Sequence, residues 1–231
     1  MGWFSKRRPV VEALGPAQLA SGVYRSPGVE RLGRELDHRR PESILDLGAS
    51  STENVSFFSR YTANLRIQDL FHSACEEAGR RATVFRFGAT ESLELPAAAE
   101  RFDVILLWDL VHYFAPEERR PFIARLAANC APDALVFLLA SSSAAIPLIP
   151  IQFKIAGPDT LHYTVPEGER SQHGDFKTRQ IEGLMESFEP LRFFQLRNGL
   201  QEFLFRYRGG EEPAEELSKS EAADPAAVEV A

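Results

Sequence analysis

The chain has 231 residues, of which 44% are hydrophobic, and it carries a formal net charge of −7. This length suits one well-buried domain with additional segments, and the negative charge argues against a broad surface for nucleic acid. Its two cysteines, Cys75 and Cys130, are too few for a disulfide framework and have no partners at metal-ligand spacing, so we expect no metal site. The two cysteines suit a reducing compartment, so we expect a cytoplasmic protein. No apolar run reaches the roughly 18 residues of a membrane span, so we expect no stable membrane insertion.

Residues 1–42 precede the first predicted strand and form a predicted helical extension or cap. Val29, Leu32 and Leu36 recur at helical spacing and predict its second helix. Residues 24–28 are rich in turn formers and predict a loop before that helix. The whole segment could cover the mouth of a pocket.

Residues 43–61 predict a buried strand, a tight turn and a helix. Ile44, Leu45 and Leu47 form an apolar run that is interrupted by the acid Asp46. Gly48 follows this run, and glycine tolerates the conformations that a sharp turn requires. Apolar residues then recur at helical spacing from Val55, and the small polar residues 50–52 are candidate helix caps. In an open α/β sheet, ligands bind beyond the carboxyl end of such a strand.

Two further strands are predicted in the next part of the chain. The first, at 65–70, ends near Asp69, which lies 23 positions after Asp46. An acid at this position can accept hydrogen bonds from both hydroxyls of a ribose, and the alternatives are a helix cap or a solvated strand end. Residues 83–88 alternate in polarity and predict a third strand.

The most hydrophobic predicted strand is 102–109. Its continuous apolar run indicates burial on both faces, as in the middle of a parallel sheet. A helix with the apolar stripe Phe122, Ile123 and Leu126 follows, and residues 134–140 predict a fifth strand. Prolines interrupt the apolar stretch 146–151, which argues against a central strand there. For residues 141–176 as a whole, a functional lid is as compatible with the sequence as a surface loop or a small edge element.

The C-terminal part predicts a helix at 177–188 and two strands, 191–196 and 201–207. Asn198 and Gly199 lie between these strands and are typical of a hairpin turn. From residue 209 onward the chain is acidic and low in aromatic residues, so we expect 209–231 to be a disordered tail.

This order of elements resembles the class I S-adenosylmethionine-dependent methyltransferases over about residues 40–208. The resemblance is carried by the segments 44–49 and 102–114, by Asp69, and by the terminal hairpin. It implies a seven-stranded Rossmann-like α/β sheet, mostly parallel with a C-terminal antiparallel hairpin and with helices on both faces. Residues 43–208 would form the methyltransferase-like domain, with S-adenosyl-L-methionine as cofactor. The acidic chain and modest N-terminal extension favour a small-molecule acceptor.

The resemblance also implies roles for particular residues. Asp69 would bind the ribose hydroxyls of the cofactor. The residues at the methionine end of the cofactor would be Asp46, Gly48, Ala49 and Ser50. Those beside the adenine would be Leu70, Gly88, Ala89 and Thr90. Trp108 and Asp109 would form the wall between cofactor and substrate. His112 would be the candidate general base, because imidazole titrates near neutral pH; the alternative is a hydrogen-bonded histidine at a strand–helix junction. Tyr113 would reach the substrate side or simply pack against the following helix. Apart from the resemblance, His162 and Tyr163 are candidates to reach the pocket from the insertion 141–176.

Two departures from the family pattern keep a second hypothesis open. Serines and a threonine at 50–52 stand where the family usually carries further glycines. Ala89 or Thr90 stands where many members have an acid near the adenine, although Glu91 could substitute. The alternative is a catalytically inactive binding or interaction module on the same fold. A nicotinamide-dependent oxidoreductase is disfavoured because the turn lacks Gly-x-Gly-x-x-Gly.

Overall fold

The computed structural model describes residues 21–70, 93–142, 145–168, 170–172 and 178–209. None of the helices in these ranges is long and apolar enough to cross a membrane. In chain order the elements are β1 (Gly22–Arg25), α1 (Pro27–Arg39), β2 (Ser43–Asp46), α2 (Thr52–Phe58), β3 (Asn64–Ile67), β4 (Phe102–Trp108), a 3-10 turn (Leu110–Tyr113), α3 (Pro116–Ala127), β5 (Cys130–Ser141), β6 (Ala145–Pro147), β7 (Gln152–Gly157), β8 (Thr160–Thr164), β9 (Arg170–Gln172), α4 (Thr178–Leu184), β10 (Phe188–Gln195) and β11 (Leu200–Tyr207).

A mixed sheet of six strands organises the fold, in the order β10-β11-β5-β4-β2-β3. Strands β3, β2, β4 and β5 run parallel, and β11 and β10 continue the sheet antiparallel, as the predicted hairpin requires. The prediction of an α/β sheet with a terminal hairpin is confirmed. The number of strands differs from the seven expected: six are found in the described ranges, and the predicted strand at 83–88 lies outside them.

Strand β4 supplies both faces of the sheet with core residues. Ile105 and Leu107 face a cluster that includes α3 and α4, whereas Val104 and Leu106 face a cluster that includes α1 and α2. All four side chains are 0–1% exposed, which explains the uninterrupted apolar run in the sequence. Helices therefore cover both faces of the sheet, as predicted.

A second, antiparallel sheet of three strands, β1-β8-β7, was not predicted. Residues 24–25 belong to its edge strand β1 rather than to the predicted loop, and β1 pairs with β8 from Gly22↔Tyr163 to Arg25↔Thr160. The described parts of 141–176 are mostly strand, because β7 and β8 pair here and β6 pairs with β9. This small sheet packs on the same core cluster as α1 and α2.

Helix α1 is attached to the main sheet by the buried side chain of Glu202 in β11. One carboxylate oxygen accepts from the Ser26 hydroxyl at 2.6 Å and from the Tyr24 hydroxyl at 3.0 Å, and the other accepts from the Gly28 amide at 2.6 Å. The pKa of Glu202 is raised because burial outweighs these hydrogen bonds. Val29 lies in the buried stripe of α1, and the predicted helix is confirmed.

Candidate functional site

A cavity of about 210 Å³ opens at the carboxyl ends of the parallel strands β2 and β4, where the small sheet approaches the main sheet. Ends of parallel strands meet at one edge, and the connections beyond them form the walls. The cavity is lined by Leu47, Gly48, Ala49, Asp69, Trp108, Asp109, Leu110, Ile149, Pro150, Ile151, Gln152 and Phe153.

The turn after β2 is held by the side chain of Asp46, which is 1% exposed. Its Oδ1 accepts from the Gly48 amide at 2.9 Å and from the indole Nε1–H of Trp108 at 2.7 Å. Burial raises the pKa of Asp46 to about 6 and the nearby charge of Asp69 adds to the rise, whereas Trp108, Gly48 and the Asn54 side chain oppose it. The carboxylate therefore fixes both the turn and the ring that covers it.

Trp108 ends β4 in a backbone conformation that is unfavourable for a side chain of this size. Its φ of +48° lies in the left-handed region, which costs free energy and occurs often at functional sites. The indole packs directly on Gly48, where an added Cβ would approach its Nε1 to 2.7 Å, so glycine is required there. The indole also stacks on Phe153 of β7, with ring planes 3° apart and centroids separated by 5.8 Å, and it meets Phe137 of β5 edge to face.

Helix α2 connects the turn to the small sheet. Ser51 is its N-cap, as one of the three predicted candidates, and the hydroxyl accepts from the Asn54 amide at 3.1 Å. The side chain of Asn54 then binds the edge of β7, donating to the Phe153 carbonyl at 3.1 Å and accepting from the Ile155 amide at 2.8 Å. Ser50 is exposed and does not line the cavity, so neither serine crowds it.

Asp69 lies two residues beyond β3 and is half-buried at the cavity wall. The backbone around it continues the pairing with β2, since the Gln68 amide donates to the Asp46 carbonyl at 2.8 Å. Leu70 is 1% exposed and packs in the core beneath the site. The other predicted contacts to the adenine, Gly88, Ala89 and Thr90, lie outside the described residues.

Asp109 follows Trp108 and is the second carboxylate in the cavity wall, with 4% of its surface exposed. Its Oδ2 accepts from the Tyr113 hydroxyl at 3.4 Å, and the backbone amides of Asp109 and Ile151 also stabilise its charged form. Burial raises the pKa of Asp109 to about 7, and it also raises the pKa of Tyr113 above its usual value. The Tyr113 hydroxyl also lies 3.4 Å from the Ile149 carbonyl oxygen, so this side chain contacts two residues of the cavity wall.

His112 lies outside the cavity lining and is 1% exposed. Its Nε2 accepts from the backbone amide of Ser141 in β5 at 2.8 Å. A general base needs this lone pair for the substrate proton, and here the neighbouring strand uses it. The geometry therefore favours the alternative that the sequence left open, a histidine that joins a strand–helix junction.

His162 and Tyr163 point to opposite sides of β8, because successive residues of a strand alternate. Tyr163 is 6% exposed and lies behind Phe153, with ring centroids 6.4 Å apart. His162 is on the other face, and neither side chain lines the cavity. The aromatic group that does reach the cavity is Phe153, which the sequence analysis missed because the strand pattern of 152–157 is short.

The polar side chains that line this cavity are few. In the part of the chain that the structure describes, no three His, Cys, Asp or Glu side chains are placed to hold a metal ion. The two lining carboxylates, Asp69 and Asp109, stand among apolar and backbone groups. This is the usual composition of a small-molecule pocket.

No protein-family model matches the chain, and no curated protein matches it. Among solved structures, an S-adenosylmethionine-dependent methyltransferase from Clostridium acetobutylicum ATCC 824 has 11% identity over 79% of this chain and 91% of its own, with a TM-score of 0.52. The chain therefore has the fold of such a methyltransferase, and the predicted resemblance is confirmed at the level of the fold.

Two further solved structures give lower scores. The Burkholderia thailandensis 1,6-didemethyltoxoflavin-N1-methyltransferase, with bound 1,6-didemethyltoxoflavin and S-adenosylhomocysteine, has 18% identity over 80% of each chain and a TM-score of 0.45. The S-adenosylmethionine-bound amino pentose methyltransferase CalS10 from Micromonospora echinaspora has 13% identity over 78% of this chain and 89% of its own, with a TM-score of 0.48.

Proposed function

We propose that the protein is an S-adenosyl-L-methionine-dependent methyltransferase that acts on a small-molecule acceptor. The observation that carries this proposal is the cavity between the Asp46–Gly48 turn and Asp69, at the ends of two adjacent parallel strands of a methyltransferase fold. Open α/β sheets bind their ligands at this edge.

The groups around the cavity fit this cofactor. Asp69 follows β3 at the distance from the turn that a ribose-binding acid requires, and its side chain is in the lining. The polar lining side chains in the described ranges are two carboxylates and an amide, with no cation to repel a sulfonium or an ammonium group. Gly48 and Ala49 bring backbone close to the cavity, and Leu70 packs below Asp69.

The chemistry of the bound cofactor is an in-line displacement at a methyl group, for which it supplies the reactive carbon. This chain would supply alignment and exclusion of water. Trp108 and Phe153 form a stacked wall, and residues 149–151 close the cavity from the insertion. We therefore propose that the 145–165 part of the insertion covers the reaction site, consistent with the lid hypothesis. The modest cavity favours a small acceptor over a macromolecule.

Calorimetric titration with S-adenosylmethionine and with S-adenosylhomocysteine tests the cofactor. We expect micromolar binding, about −8 kcal/mol, and at least a tenfold loss for Asp69→Asn. Asp37→Asn is the matched control, since Asp37 is an exposed acid on α1 away from the cavity. A folded protein that binds neither compound would refute the proposal.

The position of the cofactor can be tested with tryptophan fluorescence. The chain has two tryptophans, so Trp3→Phe leaves Trp108 as the single reporter. Because Trp108 lines the cavity, S-adenosylhomocysteine should change its emission in proportion to the calorimetric saturation. Tight binding that leaves this emission unchanged would place the cofactor elsewhere.

A further inference from the structure

We infer that the methyl acceptor is an amine, and that the Asp109 carboxylate binds its ammonium group and accepts its proton. This inference rests on the proposed function, because it concerns the acceptor side of the same cavity. It assigns Asp109 a catalytic role in place of the predicted base, His112.

The charge of the cavity selects against anionic and for cationic acceptors. Among the described residues, the lining contains two carboxylates and no Lys, Arg or His. Asp69 would be engaged by the ribose of the cofactor, which leaves Asp109 for the acceptor. An acceptor carboxylate would meet two negative groups in a poorly solvated space, where like charges repel strongly.

The buried Asp109 is well placed to hold an ammonium group. The groups that stabilise its charged form are the backbone amides of Asp109 and Ile151 and the Tyr113 hydroxyl, and all three are neutral. In the described part of the chain no ion pair includes Asp109. A carboxylate that is 4% exposed and has no cationic partner is costly when charged, and a bound ammonium would remove much of that cost.

The aromatic wall beside Asp109 gives a second contact for a cation. The indole of Trp108 lines the cavity next to Asp109, and the parallel ring of Phe153 between Trp108 and Tyr163 holds it in place. Aromatic faces attract ammonium groups, and the attraction is stronger when water is excluded. The same wall would accommodate the methylated product, which remains a cation.

The proposed step balances without another reactant. The ammonium form of the acceptor transfers a proton to an oxygen of Asp109, and the neutral nitrogen regains its lone pair. That lone pair forms the new C–N bond with the methyl carbon of the sulfonium as the C–S bond breaks. The electrons of the C–S bond stay on sulfur, which becomes a neutral thioether, and the positive charge passes to the methylated nitrogen. Burial raises the pKa of Asp109 to about 7, so it can exchange protons near neutral pH.

Three probes with the same aryl body test this inference on the full-length protein saturated with S-adenosylhomocysteine. 2-Phenylethylamine, 2-phenylethanol and 3-phenylpropionate differ in their polar group, and calorimetry measures the affinity of each. We expect the amine to bind at least tenfold more tightly than the alcohol, and the carboxylate to bind most weakly. Asp109→Asn should reduce the affinity for the amine to that for the alcohol. Asp37→Asn should leave the preference for the amine over the alcohol unchanged.

The inference is overturned if wild-type protein binds the alcohol or the carboxylate as tightly as the amine. It is also overturned if the amine does not bind at concentrations up to about 10 mM. This comparison needs no variant, so it holds even if Asp109→Asn does not fold. Retained preference in a folded Asp109→Asn protein would also contradict the role of Asp109. Since S-adenosylhomocysteine binding is measured first, failure of the proposed function is recognised separately.

Discussion

Replacing Asp46 by asparagine should make the protein more stable at pH 8, although it alters the residue that organises the turn. The substitution keeps an oxygen that can accept from the Gly48 amide and from the Trp108 indole, and it removes the charge from a site that is 1% exposed. The prediction therefore separates the cost of the buried charge from the value of its hydrogen bonds.

The size of the effect follows from the pKa of Asp46, which burial raises from 3.8 to about 6. The folded state holds the proton more tightly than the unfolded chain, so this group lowers the free energy of unfolding as pH rises from about 4 to about 6. At 1.4 kcal/mol for each pKa unit, the cost at pH 8 is about 3 kcal/mol. Asp109 and Glu202 are unchanged in the variant, so their contributions cancel in the comparison.

Urea unfolding followed by far-UV circular dichroism measures this difference at pH 8 and at pH 4. We expect the free energy of unfolding of Asp46→Asn to exceed that of wild type by about 2–3 kcal/mol at pH 8 and by less than about 0.5 kcal/mol at pH 4. Asp37→Asn should change neither value. A variant that is less stable than wild type at pH 8 would refute the reasoning, because it would mean that the charged carboxylate is favoured by its surroundings.

Gly48→Ala should destabilise the protein by roughly 1–3 kcal/mol in thermal unfolding, because the new methyl group would collide with the Trp108 indole. Glu202→Gln should cost about 1–3 kcal/mol by the same measurement, since an amide nitrogen would face one of the three donors that the carboxylate now satisfies. His112→Gln should retain turnover once an acceptor is known, because glutamine can still accept from the Ser141 amide; a loss of several orders of magnitude in kcat, with stability unchanged, would restore the base role.

The structure also offers a matched control variant for Gly48→Ala and another for Glu202→Gln. Gly183→Ala has open space around its Cβ and should not destabilise the protein as Gly48→Ala does. Glu189 lies on the neighbouring strand β10 and is partly exposed, so Glu189→Gln should cost less than Glu202→Gln. Equal losses within either pair would show that the effect comes from the residue type rather than from its surroundings.

Local sequence patterns were sufficient where one element determines its own structure. The apolar run of β4 is continuous because both of its faces are buried, and that burial is visible in the sequence. The segment from Asp46 to Ser51 was predicted because a strand end, a glycine and a cap are adjacent in the chain. These features placed the cavity at the correct edge of the sheet before any tertiary contact was known.

Distant pairing explains what the sequence did not reveal. Strand β1 has four residues, and its partner Tyr163 is 141 positions beyond Gly22, so no local pattern identifies the small sheet. His112 was a reasonable base by residue type, and only the position of the Ser141 amide on β5 shows where its lone pair is used. Phe153 enters the cavity wall because Asn54 fixes the edge of β7, which is again a contact between distant segments.

The cluster around Glu202 has a consequence for the order in which the chain folds. Its acceptor is separated from Ser26 by 176 residues, so α1 is synthesised early but gains its anchor only after β11 has emerged from the ribosome. Contacts between positions so far apart in the chain lose much conformational entropy when the loop between them closes, and they therefore form slowly. Until then, the apolar stripe of α1 has no completed sheet to cover. We therefore expect α1 to be among the last of the described elements to dock.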